Sequence, residues 1–301
     1  NEASDLYSQA WGHNDQYYKT ALNWGITRTR LGDSASARQR LEAALRVPAI
    51  QGDPASLSVA CSQLASTHEA QGDRRAALGW YQKAVAAQKS PDAYFSMARI
   101  HESLGENAKA REQYLIVTRD KPDLPEAWFN LGNLSYAERQ YSEAFKQYQQ
   151  AIHVNANFTK AHVQAGKCQA ELGNADGAKT SFEAALRLEP THPAAHTELA
   201  RYWKNKGIFD KARPYAQAAA AAPANDDRIT ALNELGAIYL GLNLFEDAEK
   251  VLQQARGLNP SDSGVLENLS RAYLGLSRFD DAITVNEARV KVNKADWNAY
   301  E

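Results

Sequence analysis

The sequence predicts an all-α fold, an array of about eight helix–turn–helix repeats, from two observations. Apolar residues recur at three- and four-residue spacing along the 301 residues, whereas few stretches alternate apolar and polar residues as half-buried strands do. The same residue types also return at an interval of 34 residues over most of the chain. A fixed period of this length is typical of stacked repeat units, each of which buries its apolar face against its neighbours.

Eight repeats follow from this interval. They start at Tyr18, Ser58, Pro91, Pro125, Thr159, Pro193, Ile229 and Ser263, and the last ends at Asp296. The eighth residue of every repeat is small, as at Gly25 and Gly166, and the twentieth is always alanine, from Ala37 to Ala282. Residues this small let the two helices of a repeat cross at a short interaxial distance. We therefore expect eight closely packed helix pairs over residues 18–296.

Glycines mark the turn between the two helices in five repeats, because helix C-termini favour glycine. These are Gly32, Gly72, Gly105, Gly173 and Gly207. The first repeat is longer than the others and runs 40 residues to the second. We interpret residues 48–57 as an insertion that forms a longer loop.

The repeats resemble the tetratricopeptide repeat (TPR) family at its signature positions. In the fourth repeat these are Trp128, Leu131, Gly132, Ala144, Tyr148 and Ala151, and Pro190 closes the next repeat. The resemblance implies antiparallel helix pairs stacked into a right-handed superhelical solenoid. It also implies a concave groove, lined by the first helix of each repeat, that binds a protein or peptide.

Both ends of the chain continue the same register. Ala3, Tyr7 and Ala10 lie 34 residues before Ala37, Leu41 and Ala44, so residues 1–17 are expected to form the second helix of an incomplete repeat. Trp297 and Tyr300 take the first and fourth places of a ninth repeat, so residues 297–301 are expected to start a truncated unit. An uncapped repeat exposes an apolar flank, and we therefore expect possible self-association through the ends.

Composition and spacing give no sign of catalysis, a metal or a cofactor. The net charge is −2, which does not favour nucleic acid as a partner, and no apolar run approaches the roughly 18 residues needed for membrane insertion. His68 and His101 occupy equivalent places in adjacent repeats, about 8–10 Å or more apart, too far to ligate one metal directly. Cys61 and Cys168 are about three repeats apart, so we expect two buried thiols rather than a disulfide. The sequence therefore predicts a chain that is not an enzyme, and it does not identify a compartment.

The candidate binding residues lie on the first helices, at positions that face the groove in the TPR resemblance. Cations and an asparagine recur at the ninth position, amides recur at the sixth, and aromatic residues add apolar contact. The set is Phe95, Arg99, Phe129, Asn130, Asn133, Tyr136, Gln164, Lys167, Arg201, Lys204 and Arg271. Amide side chains at these places can pair with the backbone of an extended peptide, and TPR glycosyltransferases that add N-acetylglucosamine use asparagine ladders there.

Two further interpretations of this surface stay open. Lys167 precedes Glu171, Arg201 follows Glu198 and Arg271 follows Glu267 within one helical turn, so these pairs can simply satisfy each other. The two-carboxylate clamp of chaperone-binding TPR domains is absent, because Phe129 replaces its first lysine and Ala194 and Glu198 replace its last two cations. The predicted function is a non-catalytic protein-interaction scaffold. The alternatives are the substrate-selecting region of a larger enzyme, such as a glycosyltransferase, and a scaffold of a bacterial cell-envelope export or assembly machine.

Overall fold

The computed structural model describes residues 18–221 and 226–298, and all regular secondary structure in this part of the chain is helical. The prediction of an all-α fold built from helix pairs is confirmed. The helices are α1 (Tyr18–Arg30), α2 (Ser34–Arg46), α3 (Pro54–Ala70), α4 (Arg74–Ala87), α5 (Pro91–Ser103), α6 (Asn107–Asp120), α7 (Pro125–Ala137), α8 (Tyr141–Val154), α9 (Thr159–Glu171), α10 (Ala175–Leu188), α11 (Pro193–Asn205), α12 (Phe209–Ala220), α13 (Asp226–Gly241), α14 (Phe245–Leu258), α15 (Ser263–Gly275) and α16 (Phe279–Asn298).

The chain forms two compact halves that divide between Glu138 and Arg139, inside the fourth repeat. The N-terminal half contains α1–α7 and the C-terminal half contains α8–α16. In each half, consecutive helices pack together both within a repeat and between repeats, as α9 does with α10 and α10 with α11. First helices of successive repeats also touch: α1 packs on α3, α11 on α13, and α13 on α15.

The insertion in the first repeat lengthens the connection between α2 and α3, as predicted, but part of this connection is helical. Pro48–Gly52 forms a 3-10 helix, and α3 then begins at Pro54, four residues before the predicted start of the second repeat. The carboxylate of Asp53 accepts hydrogen bonds from the backbone N–H of Ser56 at 3.1 Å and from the Tyr18 hydroxyl at 2.8 Å. Asp53 thus caps α3, and a proline at the first helical position needs no hydrogen-bond acceptor.

The C-terminal helix also differs from the expectation. α16 runs through Asp296 to Asn298 without a turn, so no new helix begins at Asp296. It has 20 residues, whereas α14, the second helix of the preceding repeat, has 14. Residues 1–17 and 299–301, which include Ala3, Tyr7, Ala10 and Tyr300, lie outside the described residues, as does the side chain of Trp297.

The small eighth residue of a repeat is where its two helices come closest. A Cβ atom added to Gly166 on α9 would lie 2.5 Å from Cε1 of Phe182 on α10. Gly236 faces Leu252 in the same way at 2.5 Å, and Gly25 faces Leu41 at 2.7 Å. Phe182, Leu252 and Leu41 are all buried. The glycine therefore lets the large twenty-fourth residue fill the interface between the two helices.

Substituting Gly166→Ala should destabilise the fifth repeat by about 1–3 kcal/mol, because the added methyl overlaps a buried aromatic ring. Native-state hydrogen exchange should show the loss mainly in α9 and α10. Gly79→Ala is the matched control. Gly79 lies inside α4 with no atom within 4 Å of an added Cβ, so this change should stabilise by about 0.5–1 kcal/mol. Equal destabilisation by both variants would contradict the close-approach explanation.

The turn between the two helices has one conformation in all eight repeats. The five predicted glycines adopt φ values between 73° and 81°. The three repeats that lack glycine use Arg139, Asn243 and Ser277 at the same position, with φ between 58° and 60°. A residue with a left-handed backbone conformation therefore recurs at this position, even where it carries a side chain that disfavours this conformation.

The fourth residue of three successive repeats ties each first helix to the chain that precedes it. Trp128 donates its indole N–H to the carbonyl of Pro122 at 2.9 Å. His162 and His196 place Nε2 at 3.0 Å and 2.8 Å from the carbonyls of Ala156 and Pro190. A carbonyl oxygen only accepts, so both Nε2 atoms carry a proton. These histidines replace the tryptophan of the repeat pattern.

Candidate partner-binding surface

In the N-terminal half, a buried tyrosine hydroxyl organises the groove-facing side chains of α5 and α7. Tyr114, on α6, donates its hydroxyl to Oε2 of Glu102 at 3.0 Å and accepts from Nδ2 of Asn130 at 3.1 Å. The ring of Phe95 meets the Tyr114 ring edge-on, with centroids 5.7 Å apart. The tyrosine thus holds two of the predicted binding residues, Phe95 and Asn130, in fixed positions.

The preceding repeat has the same arrangement of a tyrosine hydroxyl bonded to a glutamate and a polar residue. Tyr81, on α4, donates its hydroxyl to Oε2 of Glu69 at 3.3 Å and is also hydrogen-bonded to Ser96. In both repeats the tyrosine is the twenty-fourth residue, the glutamate is the twelfth, and the polar partner is the sixth residue of the next repeat. The recurrence of tyrosine at the twenty-fourth position and glutamate at the twelfth is the signal of this network in the sequence.

Arg99 is exposed on α5, close enough to both hydroxyls to affect them electrostatically. Burial, and then the charge of Glu102, raise the pKa of Tyr114, while Asn130 and Arg99 act in the opposite direction. Burial also raises the pKa of Tyr81. In the part of the chain that the structure describes, no carboxylate lies within 4.0 Å of the Arg99 guanidinium. The remaining predicted residues of this half, Phe129, Asn133 and Tyr136, are half-buried on α7.

In the C-terminal half, two of the predicted cations belong to an ion-pair cluster. Arg201 donates from Nη1 to Glu198 at 2.8 Å and from Nε to Glu234 at 3.2 Å, and Lys204 reaches Glu234 at 2.5 Å. The side chains of Glu198 and Glu234 are only 15% and 14% exposed. Burial lowers the pKa of Arg201, but the two carboxylates outweigh it and raise that pKa overall. The cluster contains two charges of each sign, so its cations are already compensated.

The other predicted residues of this half behave differently. Lys167 is half-buried on α9 beside Gln164, and no ion pair joins it to Glu171 or to any other described residue. Arg271 donates to Asn268 at 3.3 Å, while Glu267 pairs with Arg289 at 2.7 Å. The self-satisfied alternative therefore holds for Arg201 but not for Lys167 or Arg271.

Removing the charge of Glu234 should destabilise the C-terminal half. Glu234→Gln leaves two cations facing one carboxylate in a mostly buried cluster, and should cost about 1–2 kcal/mol, between the values for exposed and buried pairs. Glu267→Gln breaks a pair whose side chains are 49% and 34% exposed, and should cost less than about 0.5 kcal/mol. Hydrogen exchange of α11 and α13 measures the first effect and that of α15 and α16 the second, and equal effects of the two changes would contradict the difference.

The part of the chain that the structure describes also bears on metal binding, membrane insertion and thiol chemistry. No three His, Cys, Asp or Glu side chains there are arranged to hold a metal ion. None of the described helices combines the length and apolar character required to cross a membrane. Cys61 and Cys168 are buried free thiols, and burial raises the pKa of Cys168 to about 12.

Comparison with known proteins agrees with this repeat geometry. The family model for the tetratricopeptide repeat matches residues 62–125, 95–158, 164–227 and 233–296, which is more than half of the chain. The chain therefore belongs to the tetratricopeptide repeat family, whose members are generally protein-interaction scaffolds.

Two curated relatives match parts of the chain. One is the UDP-N-acetylglucosamine–peptide N-acetylglucosaminyltransferase of Giardia intestinalis, 32% identical over 108 residues, which cover 35% of this chain and 7% of the relative. The other is the TPR repeat-containing protein YpiA of Bacillus subtilis, 25% identical over 64% of this chain and 45% of the relative. The chain thus spans less than half the length of either relative.

Solved structures share the fold. A tetratricopeptide repeat protein from Parabacteroides merdae matches 85% of this chain and 98% of its own, with a TM-score of 0.58 and 20% identity. PilW, described as a type IV pilus biogenesis factor, matches 70% of this chain and 98% of its own, with a TM-score of 0.58 and 24% identity. YrrB, described as a TPR protein with an unusual peptide-binding site, matches 64% of this chain and 96% of its own, with a TM-score of 0.55 and 17% identity.

Proposed function

We propose that the chain is a non-catalytic scaffold that binds an extended segment of a protein partner along the first helices of its repeats. The predicted residues of each half supply contacts on that half, and the residues within the set from Phe95 to Arg271 have different roles. Arg201 and Lys204 mainly hold the surface together, since Glu198 and Glu234 already neutralise them. Arg99 and Lys167 are the cations that contact the partner.

The observation that supports this proposal most strongly is the absence of acidic partners around these two cations within the described residues. Both occupy the ninth position of a first helix, and Arg99 lies near the Tyr114 hydroxyl that holds Asn130 in place. A cation without an internal carboxylate is free to form a charge-assisted hydrogen bond with a partner's carboxylate or carbonyl. Such bonds to charged groups are worth about 1.5–3 kcal/mol each.

A peptide selected against the full chain from a library of random 15-residue peptides provides the test. The variant Arg99→Ala with Lys167→Ala should weaken binding of that peptide at least tenfold, because it removes the charge-assisted hydrogen bond on whichever half the peptide occupies. Its melting temperature should stay nearly unchanged, since neither cation has an internal ion pair. Fluorescence anisotropy gives the affinity.

The matched control removes two exposed cations from second helices, Arg119 on α6 and Lys146 on α8, and changes the net charge equally. Arg119→Ala with Lys146→Ala should leave peptide affinity within about twofold. Equal weakening by both double variants would mean that net charge alone causes the effect. If Arg99→Ala with Lys167→Ala does not weaken binding, these two residues are not part of the site.

Two alternatives for the wider role draw on the relatives. The likeness to the Giardia transferase supports a substrate-selecting region of a larger glycosyltransferase. The likeness to PilW, which concerns the fold, is compatible with a scaffold in cell-envelope assembly. Peptide selection also discriminates between them, because a region that presents acceptor sites should enrich serine- or threonine-containing peptides.

A second surface lies on the outer face of the last repeat and supports self-association. Leu274, Phe279, Ile283 and Val290 are each exposed by half or more, whereas Leu240, which matches Leu274 in the preceding repeat, is only 7% exposed. In the preceding repeats this face is covered by the next first helix. We propose that a second copy of the chain covers the face of α16 and so extends the inter-repeat interface.

Replacing Ile283 and Val290 together with serine should keep the chain at its monomer mass of 33.2 kDa as concentration rises. The unchanged chain should show an increasing average mass, because it buries these apolar side chains between copies. Light scattering measures both. Leu115→Ser, at a residue that is 50% exposed on α6, is the control and should not prevent association. A monomeric unchanged chain would refute the proposal.

A further inference from the structure

Aromatic side chains fill the gap between successive repeats in the C-terminal half. A Cβ atom added to Gly241 would lie 2.4 Å from Cε1 of Phe209, and one added to Gly275 would lie 2.3 Å from Cδ1 of Phe245. In both cases the phenylalanine is the seventeenth residue of its repeat and the glycine is the thirteenth residue of the next. Each phenylalanine therefore sits directly against the backbone of the following first helix.

The fifth repeat lacks this contact and has a pocket in its place. Its seventeenth residue is Ala175, and the thirteenth residue of the next repeat is Asn205 rather than glycine. A pocket of about 340 Å³ opens between α10 and α11, with both residues in its lining. Its apolar wall includes Ala178 and the ring of Phe182. The cavity is thus found where the two following repeats place a phenylalanine.

The geometry points to this pocket as a binding site for an aromatic side chain presented by the partner segment. This inference rests on the proposed function and names the residue type that anchors the segment. Phe209 and Phe245 show which occupant the surrounding backbone accommodates. An incoming ring would pack against Phe182, and aromatic pairs contribute beyond the area they bury.

The polar side of the pocket favours an aromatic occupant over an acidic one. Glu198, Arg201 and Lys206 line it. Arg201 is held by its hydrogen bond to Glu198, and Lys206 pairs with Asp176. A carboxylate in the pocket would face the carboxylate of Glu198, whereas a ring can lie beside the Arg201 guanidinium and gain a cation–π contact. Asn205 on the same rim can hydrogen-bond the backbone that carries the ring. Since Glu234 also fixes Arg201, the site is ordered before the partner arrives.

The direct test uses N-acetyl-phenylalaninamide as the probe on the full chain labelled with ¹³C at alanine methyls. Ala170, Ala175 and Ala178 line the pocket, so their methyl resonances report on it. They should move in a saturable way with a dissociation constant of about 1 mM, as expected for so small a ligand. N-acetyl-alaninamide and the α-amide of N-acetyl-aspartate, which keeps its side-chain carboxylate, should leave these resonances unchanged at equal concentration. Absence of shifts with the aromatic probe, or equal shifts with the three probes, overturns the inference.

A variant that rebuilds the missing contact gives an independent test. Ala175→Phe with Asn205→Gly recreates the arrangement of Phe209 with Gly241, and should abolish the shifts at Ala170 and Ala178 while the melting temperature holds or rises. Ala175→Leu fills the pocket without altering Asn205, and keeps the test available if the double variant folds poorly. Probe shifts that persist in either folded variant place the probe elsewhere and overturn the inference.

The two levels of the proposal fail separately. The binding of a selected peptide can depend on Arg99 and Lys167 and yet be as strong in the filled variant as in the unchanged chain. That result refutes the aromatic pocket and leaves the scaffold function in place. A peptide that loses at least tenfold in affinity when the pocket is filled, or when its single aromatic residue is changed to alanine, supports the pocket. If the probe binds saturably but substitution of Arg99 and Lys167 leaves peptide affinity unchanged, those two contacts are refuted instead.

Discussion

The close crossing of two helices at one small residue is the constraint on which the rest of the structure depends. Glycine at the eighth position leaves room for a large twenty-fourth residue, and where both are present the ring or aliphatic side chain becomes fully buried, as Phe182 and Leu252 do. The last repeat departs from this rule. Its pair is Ser270 and Asn286, joined by a hydrogen bond of 2.8 Å, and Arg289 near it pairs with Glu267.

The identity of the twenty-fourth residue also determines how the groove side is organised. Tyr81 and Tyr114 are buried, yet each carries a hydroxyl that reaches the groove-facing residues of two first helices. Ala216 and Leu252, at the same position of the sixth and seventh repeats, have no hydroxyl. The first helices beside Ala216 are joined by the ion pair of Arg201 with Glu234, and those beside Leu252 by the hydrogen bond of Asn268 to Asn233. A buried hydroxyl must find a partner, so the tyrosines fix the side chains around them. In the N-terminal half this surface is therefore organised around buried hydroxyls, and in part of the C-terminal half it is organised by self-compensated ion pairs.

Small changes in an almost regular repeat produce the features that distinguish this chain. A glutamate at the sixth position of the seventh repeat neutralises two cations of the sixth, and an alanine at the seventeenth position of the fifth opens a pocket that phenylalanine fills elsewhere. Regularity makes such departures informative, because the neighbouring repeats show what the same backbone does with a different residue. The proposed contacts Arg99 and Lys167 and the aromatic pocket all rest on comparisons of this kind.

The sequence by itself determined the helical fold, the pairing of helices and the places of closest approach, because these depend on local periodicity and residue size that recur every 34 residues. Only the tertiary structure decided which groove cations are compensated. Arg201 finds Glu234 at a separation of 33 residues, whereas Lys167 does not pair with Glu171 only four residues away. The left-handed turns at Arg139, Asn243 and Ser277, and the continuation of α16 past Asp296, were likewise outside the reach of the repeat pattern. The physical reason is that spacing along a chain fixes which face a residue occupies, but its partner depends on the rotamers and backbone of the helices packed against it.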